Sequence, residues 1–379
     1  MLPYGRQSID EDDIRAVADV LQGDFLTTGP KVAEFEEAFG ALTEAAHVVA
    51  CSNGTAALHL AALALGLKEG DGVIVPSVTF LATVNAARYC GADVVFADVN
   101  PDTGLMESLH IEDALKRSGG LNVRAVFPVH LAGQCADLAS VRRVADRHGL
   151  KIVADACHAV GGRYKERGVG ACKYEDMSVF SFHPVKTIAM GEGGAITTND
   201  AGLADKMRSL RSHGIVKSPS MPPWYYEMPE IGFNYRVSDI QCALGLSQLK
   251  KLDGFVKRRE ELTRLYDELL KPLAPVVLPP LRVNASGTAW HLYAVRIDFE
   301  AAGVNRAEVM AALKEKGVGS QVHYIPVHQQ PYYRALYGDL ELPGAQRYYE
   351  RTLSLPLYPA LTDDDVKFVV ETLQTVLKV

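Results

Sequence analysis

The stretch Val179-Phe180-Ser181-Phe182-His183-Pro184-Val185-Lys186-Thr187-Ile188-Ala189-Met190-Gly191-Glu192-Gly193-Gly194-Ala195-Ile196-Thr197-Thr198 opens as one short apolar strand and closes as another. Pro184 has no N–H to give a ladder, so the first strand should stop before it. The three glycines allow a tight turn and close approach of the backbone to a bound group. The spacing therefore predicts Lys186 on a loop between two buried strands, an unusual place for a side chain that normally keeps its charge in water. A desolvated ammonium gives up its proton more readily and becomes an amine nucleophile. The plainer alternative is a loop lysine with its head in solvent. Other parts of the chain weigh against that alternative, because they hold what a Schiff-base lysine needs.

Length and composition set the frame. At 379 residues the chain exceeds one ordinary core, and roughly 150 residues per domain suggests two or three domains. Hydrophobic residues at 48% and charged residues at 22% fit a globular protein. A net charge of -7 argues against a nucleic-acid partner. No apolar h-region follows Met1-Leu2-Pro3-Tyr4-Gly5-Arg6, and no apolar run approaches about 18 residues. Neither a signal peptide nor a membrane span is therefore expected. The six cysteines are scattered, without Cys-x-x-Cys or zinc spacing. They read as reduced thiols of a cytoplasmic protein, and no metal site is expected.

Ser8-Ile9-Asp10-Glu11 reads as a capping box for a helix with Ile14, Val17, Ala18 and Leu21 on one face. Pro30 opens a second helix holding Phe35 and Phe39. Strands and helices then alternate. Strands are expected at His47 to Cys51, Val73 to Val75, Val94 to Ala97, Ala125 to His130 and Lys151 to Asp155. Helices are expected at Thr55 to Leu65, Phe80 to Cys90, Ile111 to Lys116 and Leu138 to Arg147. The strands are continuous apolar runs, as in a mostly parallel sheet covered on both faces. A helix from Leu203 to Ser212 precedes a loop rich in Pro, Tyr and Met. One long helix is expected from Ser238 to about Leu270. Beyond the prolines at 272, 275, 279 and 280 come strands at Trp290 to Ile297 and Ser320 to Pro326. A helix at Ala307 to Lys316 lies between them, and a final helix follows Thr362.

Four constellations bear on chemistry. Cys51-Ser52-Asn53-Gly54-Thr55-Ala56 joins a strand to a helix start, where free N–H groups and the helix dipole suit a phosphate. An ordinary turn and N-cap is the other reading. Asp155, in Val153-Ala154-Asp155-Ala156-Cys157-His158, sits at the carboxyl end of a buried strand. There a carboxylate needs a cation such as a pyridinium nitrogen, unless it only caps the next segment. Phe80 follows a strand end and can stack on a flat ring, although an aromatic there can equally be core. Gly232-Phe233-Asn234-Tyr235-Arg236 precedes a helix start, and reads either as an anion contact reaching into a neighbouring subunit or as plain capping. A phosphate cradle, a stacking ring, an acid for a ring nitrogen and a lysine are what pyridoxal 5'-phosphate (PLP) requires.

Ser181-Phe182-His183-Pro184-Val185-Lys186 with Gly191-Glu192-Gly193-Gly194 also resembles the lysine motif of the sugar-nucleotide aminotransferases, PLP enzymes of fold type I. The resemblance runs from Pro3-Tyr4 through Gly232-Phe233-Asn234-Tyr235-Arg236 to Val322-His323-Tyr324-Ile325-Pro326. It implies an α/β, aspartate-aminotransferase-like PLP fold. A large PLP-binding domain with an N-terminal arm and a mostly parallel, seven-stranded sheet would cover residues 1–250. A small C-terminal α+β domain joined by the long helix would cover 251–379. Lys186 would carry the cofactor and Asp155 would pair with its ring nitrogen. Phe80 would stack on the ring, with His158 beside it, and Gly54, Thr55, Ala56 and Ser181 would hold the phosphate. Asn234 would come from the partner of a homodimer with shared active sites. Tyr4, Asp24, Phe25, Leu26, Thr27, His183, Asn234, Gln321, His323 and Tyr324 would lie where the sugar nucleotide binds. Many relatives have Gln in place of His158 and Asn in place of Thr187.

The stretches 185–193 and 239–251 point to the branch acting in pseudaminic acid synthesis. There glutamate would give its amino group to C4 of a UDP-4-keto-6-deoxy-N-acetylhexosamine. Another keto-sugar nucleotide is the first alternative. A PLP-dependent dehydratase is disfavoured because relatives of that kind replace the lysine by histidine. A PLP-fold regulator lacks support, since no helix-turn-helix extension or basic patch is seen.

Overall fold

The computed structural model describes residues 1–218, 220–283 and 287–378. Helix α1 (Glu11–Leu21) is capped by Asp10, whose carboxylate accepts from the N–H groups of Asp12 and Asp13. Asp13 answers by accepting from Asp10 N–H, so the capping box forms at Asp10 and Asp13 and not at the expected Ser8. The expected apolar face is not the one that packs, since Ile14 and Leu21 are exposed while Asp13 and Val20 are buried. Asp13 is drawn inward by Lys251, 2.6 Å away, and by the Gln248 amide at 2.8 Å. Helix α2 (Pro30–Thr43) starts on its proline and buries Phe35 and Phe39.

From here strand and helix alternate as the apolar runs require. The elements are β1 (His47–Cys51), α3 (Gly54–Ala64), β2 (Asp71–Pro76), α4 (Leu81–Tyr89), β3 (Asp93–Ala97), β4 (Asn122–Val126) and β5 (Lys151–Asp155). A two-residue pair, β6 (Arg163–Tyr164) and β7 (Arg167–Gly168), precedes β8 (Met177–Ser181) and β9 (Gly194–Thr198). The seven-stranded sheet runs β1-β9-β8-β5-β4-β2-β3. Only β9 runs against its neighbours. β4 is shorter than the expected Ala125 to His130. Pro128 has no N–H for the ladder, and past it the chain keeps a single bridge from Val129 to Asp155.

The lysine loop is the connection between β8 and β9. Phe182 N–H donates to Gly193 O and Met190 N–H to Phe182 O, both at 2.8 Å, which draws the loop back on itself. Its underside is aromatic: Phe180 and Phe182 meet Phe39 edge-on, with ring centroids 4.9 and 5.4 Å apart. Those rings are fully buried and join Ile188 and Met190 in one core, so the loop rests on packed side chains.

A second core gathers Leu262, Tyr266, Trp290, Tyr293 and Val295 with Val366, Val369, Val370 and Leu373. It surrounds the antiparallel strands β10 (Val277–Leu278), β11 (Tyr293–Ile297) and β12 (Thr352–Leu355). Two expectations fail here. The long helix is broken into Asp239–Leu249 and Leu252–Leu270, where Lys251 N–H bonds Gln248 O in a tightened turn and its ammonium is held by Asp10 and Asp13. Ser320 to Pro326 is no strand, because Gln321 makes one isolated bridge to Ser354 and its side chain takes the next N–H, that of Val322. Residues Val327, Tyr333, Leu342, Ala345 and Tyr348 pack on the core of the large sheet, although they follow β11 in the chain.

The N-terminal arm crosses to the second core. Leu2 pairs with Val318, and Leu357 N–H donates to Tyr4 O, which fixes where Tyr4 points. No disulfide joins any of the six cysteines, and burial pushes the thiols of Cys51 and Cys135 up to about 12 and that of Cys90 to about 11.

Candidate active site

A cavity of about 630 Å³ opens where β5 and β8 end, at the carboxyl edge of the parallel strands. Asp155, Ser181 and Lys186 line it together with Gly54, Thr55, Phe80 and His158. Tyr4, His183, Gln321, His323 and Tyr324 complete the far wall. Residues more than 300 positions apart are thereby brought together by the arm and by the segment after β11.

Asp155 is 6% exposed and has two neutral donors. Thr83 Oγ1 donates to Oδ2 at 2.6 Å, and Cys157 N–H donates to Oδ1 at 3.1 Å. Thr79 stands behind Thr83 at 2.8 Å, one turn earlier. Among the described residues no cation lies within ion-pair distance of this carboxyl group, which faces the cavity with Lys186 acting on it only from farther off.

Asn53 caps α3 by accepting the Ala56 N–H at 2.8 Å. Ala56 does not line the cavity, and its N–H is bonded to the Asn53 side chain. The N–H groups of Gly54 and Thr55 have no acceptor among the described residues and stand at the positive end of α3. Ser181 is their neighbour. A Cβ on Gly54 would fall 2.8 Å from the Ser181 Cβ and 3.3 Å from the Ser181 Oγ. Gly54→Ala should therefore push α3 away from Ser181, and PLP affinity, read by fluorescence titration, is expected to fall about tenfold or more. That corresponds to the roughly 1–3 kcal/mol of an overpacked site. Unchanged affinity would remove Gly54 from the cradle.

Lys186 is partly buried and makes no ion pair among the described residues. Desolvation pulls its pKa down, partly opposed by Cys157 and Asp155. The wall beyond it is aromatic and uncharged. Desolvation, reinforced by Lys186, holds His158 well below its ordinary pKa and His323 down to about 3. Burial does the same to His291, with His158 4.5 Å away ring to ring. Tyr324 is pushed well up by burial and by Asp155.

These residues fit PLP. The unpaired amides beside Ser181 suit a phosphate, Asp155 suits a ring nitrogen, and Lys186 suits the aldehyde. Phe80, 55% exposed as the N-cap of α4, offers its ring to the cavity. Asp24, Phe25, Leu26, Thr27 and Asn234 lie elsewhere. All five are exposed, and their segments meet beside helix Asp239–Leu249, where Thr27 bridges Ser238 and Leu26 O accepts from Asp239 N–H. Sequence reasoning missed Asn53, Thr79, Thr83, Cys157, Glu192, His291 and Gln330. Only the Thr79–Thr83 spacing of one helical turn gave a signal. No group of His, Cys, Asp or Glu among the described residues is arranged to hold a metal ion.

The model of the DegT/DnrJ/EryC1/StrS aminotransferase family matches residues 7–374. The chain belongs to that family. It is accordingly a PLP-dependent sugar aminotransferase with the aspartate-aminotransferase-like fold. DegT-family relatives match along the whole chain. The spore coat polysaccharide biosynthesis protein SpsC of Bacillus subtilis is 41% identical over 385 residues, covering 100% of this chain and 97% of SpsC. Helicobacter pylori PseC, an aminotransferase involved in the biosynthesis of pseudoaminic acid, superposes with a TM-score of 0.92 at 30% identity. That match covers 100% of this chain and 99% of PseC. Spr1654 of Streptococcus pneumoniae, named as a candidate sugar aminotransferase, superposes in its PLP form with a TM-score of 0.90 at 28% identity. It covers 100% of this chain and 98% of that one.

Proposed function

We propose that the chain transfers the amino group of glutamate to C4 of a UDP-4-keto-6-deoxy-N-acetylhexosamine, as a step of pseudaminic acid synthesis. The observation that carries the acceptor class is the cavity wall beyond Lys186. Tyr4, Gln321, His323 and Tyr324 offer uncharged hydrogen-bonding groups and aromatic surface there, which suit a sugar. The whole-chain match to PseC supports the choice of sugar. The higher identity to SpsC, whose name places it in spore coat polysaccharide synthesis, favours a second reading with another keto-sugar nucleotide.

When bound, the cofactor supplies an electron sink. The chain does the rest. The amides of Gly54 and Thr55, with Ser181, would anchor the phosphate. Phe80 would pack against the ring, and Asp155 would hold a proton on the ring nitrogen. Lys186 Nζ would hold the cofactor and, when free, would take the proton from the α-carbon of the amino donor. Its lowered pKa keeps a larger share of the amine free to act as base. The enzyme is read as a cytoplasmic homodimer. The lack of disulfides among the described residues supports the compartment, and no described helix is long and apolar enough to cross a membrane. The exposed Asp24–Thr27 loop and Asn234 support the dimer, as groups that would complete a partner's cavity.

An absorption titration tests this reading. Glutamate should bleach the visible band of the lysine-bound cofactor, and UDP-4-keto-6-deoxy-L-AltNAc should restore it. Bleaching without recovery would discard this sugar and leave the SpsC-like alternative.

A further inference from the structure

We propose that Tyr324 is fixed as a hydrogen-bond donor and presents its O–H to the carbonyl oxygen of the keto-sugar acceptor. The assignment rests on the acceptor reading above and adds the group that recognises the reacting oxygen.

The geometry starts at a backbone amide. Ala132 N–H donates to His158 Nδ1 at 3.3 Å. A ring nitrogen that accepts carries no proton, so the proton of the neutral imidazole sits on Nε2. Nε2 lies 3.1 Å from the Tyr324 hydroxyl oxygen. The imidazole N–H therefore donates and the phenol oxygen accepts. The phenol's own hydrogen must point elsewhere, and no described residue accepts it. Tyr324 lines the cavity, its ring 6.0 Å from that of Phe80.

The backbone that carries this contact is in an unusual conformation. Ala132 has φ +59, a left-handed conformation that costs a residue with a Cβ about 1–2 kcal/mol. Gly133 follows with φ +97, and a Cβ there would fall 2.0 Å from Ala289 O. Such strain persists where the surroundings impose it, and it clusters at working sites. A histidine with Nδ1 occupied can only donate through Nε2.

The wall selects the oxygen. Lys186 is the one Lys or Arg among the described residues lining the cavity, and the histidines around Tyr324 are neutral. A neutral O–H donor is matched by a neutral acceptor oxygen, and charge-assisted bonds belong to ionised donors. A carbonyl oxygen is such an acceptor, and it gains from a preorganised O–H as charge builds on it.

Two measurements test the proposal. In protein labelled with 15N-histidine, the His158 signals, identified by their loss in His158→Asn, should show bare Nδ1 and protonated Nε2. The reverse tautomer would overturn the donor assignment. In single-turnover absorption experiments, Tyr324→Phe should slow recovery by UDP-4-keto-6-deoxy-L-AltNAc about 10- to 100-fold more than it slows bleaching by glutamate. Equal losses in both halves would make Tyr324 a packing residue and overturn the proposal. Wild-type protein that bleaches but never recovers would sink the acceptor reading and this role with it, while the tautomer result would stand.

Discussion

Lys186→Ala is expected to bind PLP non-covalently and to lose overall turnover by at least roughly 10³-fold, since a positioned general base alone contributes about 10²–10⁴. The cradle of Gly54, Thr55 and Ser181 is built from other elements and is untouched by the change, so affinity should fall far less than rate. Steady-state assays with glutamate and keto sugar, beside equilibrium dialysis of the cofactor, give the comparison. Turnover within threefold of wild type would remove Lys186 from the role of base. The substitution has a second expected effect. A lysine whose pKa is lowered on folding binds fewer protons folded than unfolded between its two pKa values, so its burial costs stability below its unfolded value near 10.5. Cofactor-free Lys186→Ala should thus melt no lower than wild type at neutral pH. His158 and His323 lose one of the pressures on them but stay neutral, because desolvation is the larger cause in both.

Asp155→Asn should cost about 3–5 kcal/mol in the transition state, roughly 10²- to 10³-fold or more in turnover, the usual result of leaving a buried charge without its counter-charge. Here the unpartnered charge would be the ring nitrogen. The local fold gives the amide no easy place. Thr83 O–H at 2.6 Å and Cys157 N–H at 3.1 Å both donate to this side chain. Asparagine has one oxygen for two donors, and its NH₂ would face a third. Thr83→Val should reproduce a small part of the loss by freeing one carboxylate oxygen. A variant at position 155 that kept both its turnover and its cofactor spectrum would exclude the pairing with the ring nitrogen.

Much of this site was legible because local chemistry announced it. Lys186 stood between two apolar strands in a glycine-rich loop, and Asp155 ended a continuous apolar run that could only be a covered strand. The strand-helix alternation gave the sheet for the same reason. What escaped was set by contacts between distant parts of the chain. Asp10 outcompetes Ser8 as a cap because Asp13 and Lys251 converge on it. The break after Leu249 depends on those same carboxylates, about 240 residues away in sequence. Thr83 is marked only by its one-turn spacing from Thr79, and its role appears only when α4 is laid beside β5. His291 reaches the cavity on a segment with no turn or cap signal. The Asn53 side chain that claims the Ala56 N–H was legible only as part of a turn.

The burial of Cys51, Cys135 and Cys242, with Cys90, Cys157 and Cys172 half-buried, has a practical side for watching this enzyme move. At neutral pH a thiol at 12 holds about a thousandfold less thiolate than one at its ordinary value near 9, and alkylating reagents attack only the thiolate. Cysteines placed at exposed positions such as Asp12 in α1 and Asp364 in the final helix would outrun all the native ones. Maleimide dyes could then be attached in the wild-type background. The spacing between the large sheet and the second core could be followed, molecule by molecule, through a catalytic cycle.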